Sequence, residues 1–324
     1  MAVKFLTPMP GLMRYPPNQF DGGPSDWQTR MTCSEFQLVA RTIDDLGFDA
    51  VSVSEHLVLP VDLVPTMGSH WPHALTAMAF LAGCTTRLRV NSMAMVLPNH
   101  HPVELAKSIA TLDVLSGGRA MATFGVGMAP GESAAMGMPF GRRGRATDEY
   151  ARAMHVLWTE DRPSFDGEFV QFSDVVFEPK PLQRPHPPLW FAGRSLISLR
   201  RAADLGDGWA PSGGLLGKGP WFESDSQLPD LLDEVAERRA QSGNDRPFDV
   251  FLALEQPELG PDHTMLPPRF APSSAAQILD EIGRLEALGV TWTMVTRPGD
   301  PATTLEGHLD DLHWLADEIL AACR

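Results

Sequence analysis

Short apolar runs alternate with amphipathic stretches along most of the chain, and the alternation predicts a repeated strand–helix unit. "VKFLTP", Val3 to Pro8, reads as a first strand. Ser34 to Leu46 carries Phe36, Val39, Ala40 and Ile43 on one helical face, and Gly47 stops it. "DAVSVS", Asp49 to Ser54, is a second strand, Pro72 to Gly83 a helix and Leu88 to Val96 a third strand. Pro102, whose fixed φ suits a first helical position, opens a helix with Leu105, Ile109 and Leu112 that ends at Gly117-Gly118. Arg119 to Phe124 is the fourth strand and Arg145 to Thr159 the helix after it.

The second half repeats the unit. Leu189 to Ala192, Gly208 to Ala210, Val250 to Leu254 and Thr291 to Val295 read as strands five to eight. Leu196 to Leu205, Gln227 to Ala240, Ser274 to Leu288 and Thr303 to Leu320 read as their helices. An insertion at about 160–187 separates strands four and five, and its "FDGEF" sets Asp166-Gly167 between apolar residues, a hairpin signal. Eight strands each followed by a helix predict an α/β fold, a (β/α)8 TIM barrel formed as one domain over 1–324. A doubly wound sheet would want a Gly-rich fingerprint after a strand. The nearest match, "GVGMAPG" from Gly125 to Gly131, has Pro130 where the third glycine belongs.

Composition narrows the function classes. The chain has 324 residues, 43% hydrophobic and 21% charged, with a formal net charge of −15. That acidity repels phosphate backbones and anionic membranes, so neither nucleic acid nor membrane is expected as a partner. "MAVKFLTPMPG" lacks the apolar core and cleavage pattern of a secretory signal, and the uncharged run from Leu63 to Thr86 is broken by Pro65 and Gly68. Three scattered cysteines, Cys33, Cys84 and Cys323, indicate neither a disulfide framework nor a zinc site. The expected compartment is the cytoplasm.

In a barrel the chemistry gathers at the C-terminal ends of the strands. There stand Ser54, Glu55 and His56 after strand two, and Met95, Val96 and "PNHHP" after strand three. Gly125, Gly127 and Glu132 follow strand four, Gly193, Arg194 and Ser195 follow strand five, and Trp209 lies in strand six. His56 can give or relay a proton. The glycines after strand four let a flat ring approach the backbone. The helix start at Ser195, with Gly193 and Arg194, suits a phosphate. Met9, Met95 and Trp209 are candidate lining of a substrate pocket, shaped further by the loops 11–32, 57–72, 213–226 and 255–272. Glu55 reads as a structural partner of a nearby N–H or arginine. His100-His101 lacks a third ligand, so no metal is expected. Arg142, Arg143 and Arg145 form a local basic cluster.

Three long blocks carry a family likeness: "HPVELAKSIATLDVLSGGRAMATFGVG", "GRRGRATDEYARAMHVLW" and "FEPKPLQRPHPPLWFAGRSLISLRRAADLGDGWAP". They resemble the luciferase-like monooxygenase superfamily over nearly the whole chain, and within it the branch that uses the deazaflavin F420. The resemblance implies an oxidoreductase, a homodimer, and a flavin-type ring at the strand C-termini. His56 matches the family's active-site histidine. Gly125 and Gly127 match its strand-four glycines, and Gly193, Arg194 and Ser195 its phosphate loop. A bulge or non-proline cis peptide is implied near Met93-Ala94, although the family commonly has glycine at Met93. Some F420 relatives place an acid directly after the strand-four glycines. Here "MAP" stands there, which argues against a general-acid role for Glu132.

The resulting expectation is an F420-dependent oxidoreductase acting on a small, partly apolar organic molecule. Two alternatives remain open: an FMN-dependent monooxygenase of the same superfamily, and a noncatalytic flavin-binding carrier or sensor. A flavin has nitrogen at ring position five and reacts with oxygen, whereas a deazaflavin has carbon there and moves hydride.

Overall fold

The computed structural model describes residues 3–12, 27–211, 225–254, 258–259, 265–266, 272–299 and 302–324. In chain order the elements are β1 (Lys4–Pro8), α1 (Cys33–Leu46), β2 (Ala50–Val53), α2 (Val64–Met67), α3 (Ala74–Cys84), β3 (Arg89–Val96), α4 (Pro102–Ser116) and β4 (Ala120–Gly125). Then come α5 (Pro130–Ala135), α6 (Arg143–Thr159), β5 (Phe165–Asp166), β6 (Gln171–Phe172), β7 (Leu189–Ala192), α7 (Leu196–Leu205) and β8 (Gly208–Ala210). The chain continues through α8 (Leu228–Gln241), β9 (Asp249–Ala253), β10 (Glu258–Leu259), β11 (Met265–Leu266), α9 (Ala275–Ala287), β12 (Trp292–Met294) and α10 (Leu305–Leu315).

Eight of these strands close into a parallel barrel in the order β1-β12-β9-β8-β7-β4-β3-β2. The expected (β/α)8 barrel is therefore present. The predicted hairpin is β5–β6, antiparallel with Phe165 opposite Phe172. Its tip is fastened to α6, because the Glu149 carboxylate accepts the N–H groups of Glu168, Phe169 and Val170 at 2.8, 2.6 and 2.9 Å.

Strand alternation divides the side chains into two sets. Phe5, Val51, Val53, Val90, Ala120, Ala122, Phe124, Leu189, Phe191 and Val250 join the main core between strands and helices. Leu6, Ala50, Met93, Met121, Trp190, Ala210, Phe251 and Trp292 form a second cluster that fills the barrel lumen. Local signals set the helix ends. Thr32 and Glu35 make a capping box at α1, and Gly47, with φ +86°, ends it by donating to Asp44 O and Ile43 O. The α3 start is capped by His73, whose Nδ1 accepts the Thr76 N–H.

Two short helices, α2 and α5, were not foreseen. Six residues or fewer carry no readable hydrophobic period. The expected helix to Leu320 is α-helical only to Leu315 and continues as a π-turn over Ala316–Leu320.

Candidate active site

The β2 strand ends at Val53, and the next three side chains each make a different attachment. Ser54 Oγ donates to Met93 O at 2.7 Å, joining the end of β2 to β3. Glu55 is buried; its Oε1 accepts the Ala74 N–H at 3.2 Å, and its Oε2 lies 2.6 Å from His100 Nε2. This is the structural partnership expected of Glu55. It also occupies His100, while His101 stands exposed before α4. Among the described residues no group of three or more His, Cys, Asp or Glu could hold a metal ion.

His56 Nδ1 lies 2.9 Å from Glu132 Oε2, with side-chain exposures of 9% and 1%, so the pair is shielded from water. Glu132 Oε1 accepts the Leu57 N–H at 2.9 Å. With Nδ1–H donated to the carboxylate, the lone pair falls on Nε2, the arrangement of a general base with its orienting acid. Trp71 stands edge-on to the imidazole at 4.7 Å and donates from Nε1 to Gly68 O at 3.2 Å. Leu63, Met67 and Ala129 form a small apolar cluster beside it, with Leu59, Trp71 and Met128 packed on.

Glu132 is the partner that sequence reading set aside. Its place directly after the glycines is indeed filled by Met128, Ala129 and Pro130, but α5 carries Glu132 back toward β2. The available signal was Pro130 at a first helical position with an acid in the first turn.

On the other side of the site, β3 and β4 lose register between Ser92 and Met95, and the Met93-Ala94 peptide is cis. A Cβ built on Gly125 would lie 3.9 Å from Ala94 Cβ. The last lumen-facing positions of β7, β8 and β9 are Ala192, Ala210 and Ala253; Ala192 pairs with Ala210, and Ala253 with Met294. With Gly125 on β4, four neighbouring strands thus end in minimal side chains. Gly127, at φ +83°, makes a close approach: a Cβ there would meet Val96 Cγ1 at 2.8 Å.

After β7, Gly193 adopts φ +128°. Ser195 caps α7 by accepting the Ser198 N–H at 3.1 Å, and Arg194 is buried. Trp209 Nε1 donates to Gly193 O at 2.9 Å, supporting this loop from behind. Met9, Met95 and Trp209, expected in the substrate pocket, are fully buried in the main core between strands and helices. Most of three expected pocket loops, at 13–26, 212–224 and 255–271, lies outside the described residues.

A family model described as luciferase-like monooxygenase matches residues 15–255. The chain belongs to the luciferase-like monooxygenase family. An uncharacterized Mycobacterium tuberculosis protein is 35% identical over 182 residues, 52% of this chain and 64% of that protein. The matched stretch thus spans less than two thirds of that relative's length. The FMNH2-dependent dimethylsulfone monooxygenase of Pseudomonas putida is 35% identical over 144 residues, 43% of this chain and 39% of that enzyme. The F420-dependent glucose-6-phosphate dehydrogenase of Kineococcus radiotolerans is 26% identical over 287 residues, 82% of this chain and 81% of that enzyme.

Among solved structures, the monooxygenase RslO1 of Streptomyces bottropensis has a TM-score of 0.71 at 20% identity, covering 99% of this chain and 100% of that one. An F420-dependent secondary alcohol dehydrogenase bound to an F420–acetone adduct has a TM-score of 0.70 at 16% identity, covering 100% of both chains. These likenesses show the luciferase-like fold. The family contains both F420- and FMN-dependent oxidoreductases and monooxygenases. No helix among the described residues is long and apolar enough to cross a membrane.

Proposed function

We propose that this protein is an F420-dependent oxidoreductase that moves a hydride between the deazaflavin and a small, partly apolar organic substrate. The observation that carries the reading is the His56–Glu132 pair at 2.9 Å, buried at the C-terminal face of the barrel. Hydride exchange with an alcohol or carbonyl requires one proton to be taken or given at oxygen. A neutral imidazole oriented by a buried carboxylate meets that requirement. Trp71 and the apolar cluster beside it favour a partly apolar substrate.

The residues present fit a flat ring with a phosphate-bearing side chain. Gly125, Ala192, Ala210 and Ala253 leave room that side chains would otherwise fill. The backbone at Met93-Ala94 and Gly127 would flank the ring, and Gly193, Arg194 and Ser195 would take the phosphate end. When bound, the deazaflavin supplies the hydride acceptor or donor. In the oxidising direction His56 Nε2 takes the substrate's hydroxyl proton as the carbonyl forms; in the reducing direction it returns that proton. Glu132 holds the ring tautomer and stabilises the imidazolium once the proton has arrived. The same reading includes a homodimer.

A second reading, an FMN-dependent monooxygenase, is favoured by one observation: the 35% identity with the FMNH2-dependent enzyme over 144 residues. Fluorescence titration with F420 and FMN, each oxidised and reduced, separates the two. F420 binding at least tenfold tighter, about 1.4 kcal/mol, is the expected result. The reverse preference would make the oxygen-dependent reading the working one. Turnover of any alcohol or carbonyl substrate that His56→Ala abolishes would exclude a noncatalytic carrier.

A further inference from the structure

The N-terminal mouth of the barrel carries charge, although the lumen above it is apolar. Lys4, Arg89 and Asp249 are the first residues of β1, β3 and β9. Lys4 is level with Trp292 and Arg89 with Ala50, while Asp249 stands two residues before Phe251. Trp292, Ala50 and Phe251 are lumen residues, so strand parity sets all three charged residues on the lumen side of the sheet.

They meet in one cavity of about 570 Å³, the size of a small-molecule pocket, whose lining includes Lys4, Asp49, Arg89, Asp249, Trp292 and Arg324. Trp292 gives it an aromatic wall, with Lys4 Nζ 5.0 Å from the ring centre.

The charges around this cavity differ in what they already hold. Asp44 is saturated: its carboxylate accepts the N–H groups of Thr86 and Leu88 at 2.6 and 2.8 Å, and Arg87 lies beside it. Asp49 Oδ2 accepts the Phe5 N–H at 2.8 Å, and Asp249 Oδ1 the Thr291 hydroxyl at 3.0 Å. Among the described residues the second oxygen of each accepts nothing. Lys4, Arg89 and Arg324 make no ion pair among the described residues. Arg89 Nη1 donates to Gln183 Oε1 at 3.2 Å and Arg324 Nη2 to Gly47 O, both neutral acceptors.

Acids outnumber bases 41 to 26 in this chain, so three cations gathered in one cavity without a carboxylate at pairing distance run against its composition. A mouth that served only to close the lumen could be apolar, as the next layer is, with Leu6, Ala50, Met121 and Phe251.

We propose that the N-terminal mouth of the barrel binds a small anion that carries hydroxyl groups. Its phosphate or carboxylate lies on Lys4, Arg89 and Arg324, and its hydroxyls on Asp49 and Asp249. Cations with N–H groups to spare answer a group rich in acceptor oxygens. The spare carboxylate oxygens accept O–H and repel a bare inorganic anion, which selects the hydroxylated one. The Trp292 ring meets the carbon chain between them. This site is at the opposite end of the strands from His56 and does not depend on which cofactor the other face takes.

Calorimetric titration of the whole protein at low salt tests this, with glycerol 3-phosphate and glycerate as probes and with glycerol and inorganic phosphate as their parts. One of the two anions is expected to saturate a single site with a Kd of about 1 mM or tighter, and to bind roughly tenfold or more better than either part. Glycerol 3-phosphate ahead assigns a phosphate headgroup; glycerate ahead assigns a carboxylate. Lys4→Gln and Arg89→Gln should each weaken binding about tenfold or more, and Lys4→Arg should keep most of it. Arg200→Gln removes an equal charge from the surface pair of Arg200 with Glu234 and should leave the affinity unchanged. Binding that survives both mouth variants belongs to another face, and equal loss in Arg200→Gln is nonspecific attraction. Either result overturns the proposal, as does the absence of saturable binding. A second readout needs no variant: acylation of Lys4 by an amine-reactive ester, followed by mass spectrometry. The bound anion should slow labelling of Lys4 and leave that of Lys107 as it was; equal labelling of Lys4 with and without the anion overturns the proposal.

Discussion

One carboxylate holds both the imidazole of His56 and the backbone beyond it: Glu132 Oε2 is 2.9 Å from Nδ1, and Oε1 accepts the Leu57 N–H at 2.9 Å. The ring cannot turn about χ1 without giving up one of the two bonds. Its tautomer and direction are set before any substrate arrives, which is the preorganisation that proton transfer rewards.

Glu132→Gln keeps the shape of this clamp but removes its charge, and its amide can present N–H to Nδ1 and so reverse the tautomer. With flavin binding and fold retained, kcat is expected to fall by roughly 10²–10⁴-fold with little change in KM. Steady-state kinetics with the best substrate checks this. A kcat within a factor of two of wild type would place the proton chemistry on another residue.

The room proposed for a flat ring is tested at Gly125. Alanine there fits, since its Cβ would stand 3.9 Å from Ala94 Cβ. Valine adds two methyl groups to a lumen position that the neighbouring strands keep small. Gly125→Val is expected to fold with an unchanged circular dichroism spectrum and to bind flavin at least 100-fold more weakly, about 2.7 kcal/mol. Unchanged affinity would remove the ring from this face of β4.

Much of this arrangement was legible in the chain, and the failures have physical causes. The strand runs, the glycines at 47, 117 and 193, and Pro102 each carry a local signal that the fold obeys. The face that a residue presents is a matter of parity, and a three-residue strand such as β8 fixes none: a slip of one position exchanges Trp209 with Ala210. Trp209 consequently sits in the outer core, and alanine, which gives no sequence signal, holds the lumen. Glu132 was missed because its contact with His56 spans 76 residues and arises only when the barrel closes.

Arg119 is expected to matter for stability rather than catalysis. Its guanidinium donates to Ala82 O at 2.8 Å, Leu88 O at 2.7 Å, Thr85 O at 3.1 Å and Ser116 O at 2.7 Å, joining the ends of α3 and α4 to the start of β4. Lysine cannot reproduce that fork. Arg119→Lys should lower the unfolding free energy by about 2–4 kcal/mol in urea melts, with the kinetics of the residual folded protein unchanged. A loss under 0.5 kcal/mol would show that water replaces these bonds freely.

Acid should weaken the protein well before its carboxylates titrate. Burial and the neighbouring His186 and Arg246 lower the pKa of His155 from 6.5 to about 3, and burial lowers that of His308 from 6.5 to about 4. Between those values and 6.5 the unfolded chain binds the proton and the folded chain does not. Stability is therefore full above pH 6.5 and is lost as pH falls, by ~1.4 kcal/mol per pH unit for each histidine. His155 stacks on His186 at 4.4 Å, so His155→Phe can keep the contact without the proton site. Urea midpoints from pH 7 to 5 should fall less steeply in that variant; identical slopes would exonerate His155.

The three backbone bonds from the hairpin to Glu149 make the insertion and α6 a single unit of inheritance. A relative could not lose the hairpin tip and keep Glu149 without stranding a buried carboxylate, nor exchange α6 alone without freeing the tip. Chimeras that graft residues 160–187 from another barrel of this kind will need to carry the donor's helix along with its loop.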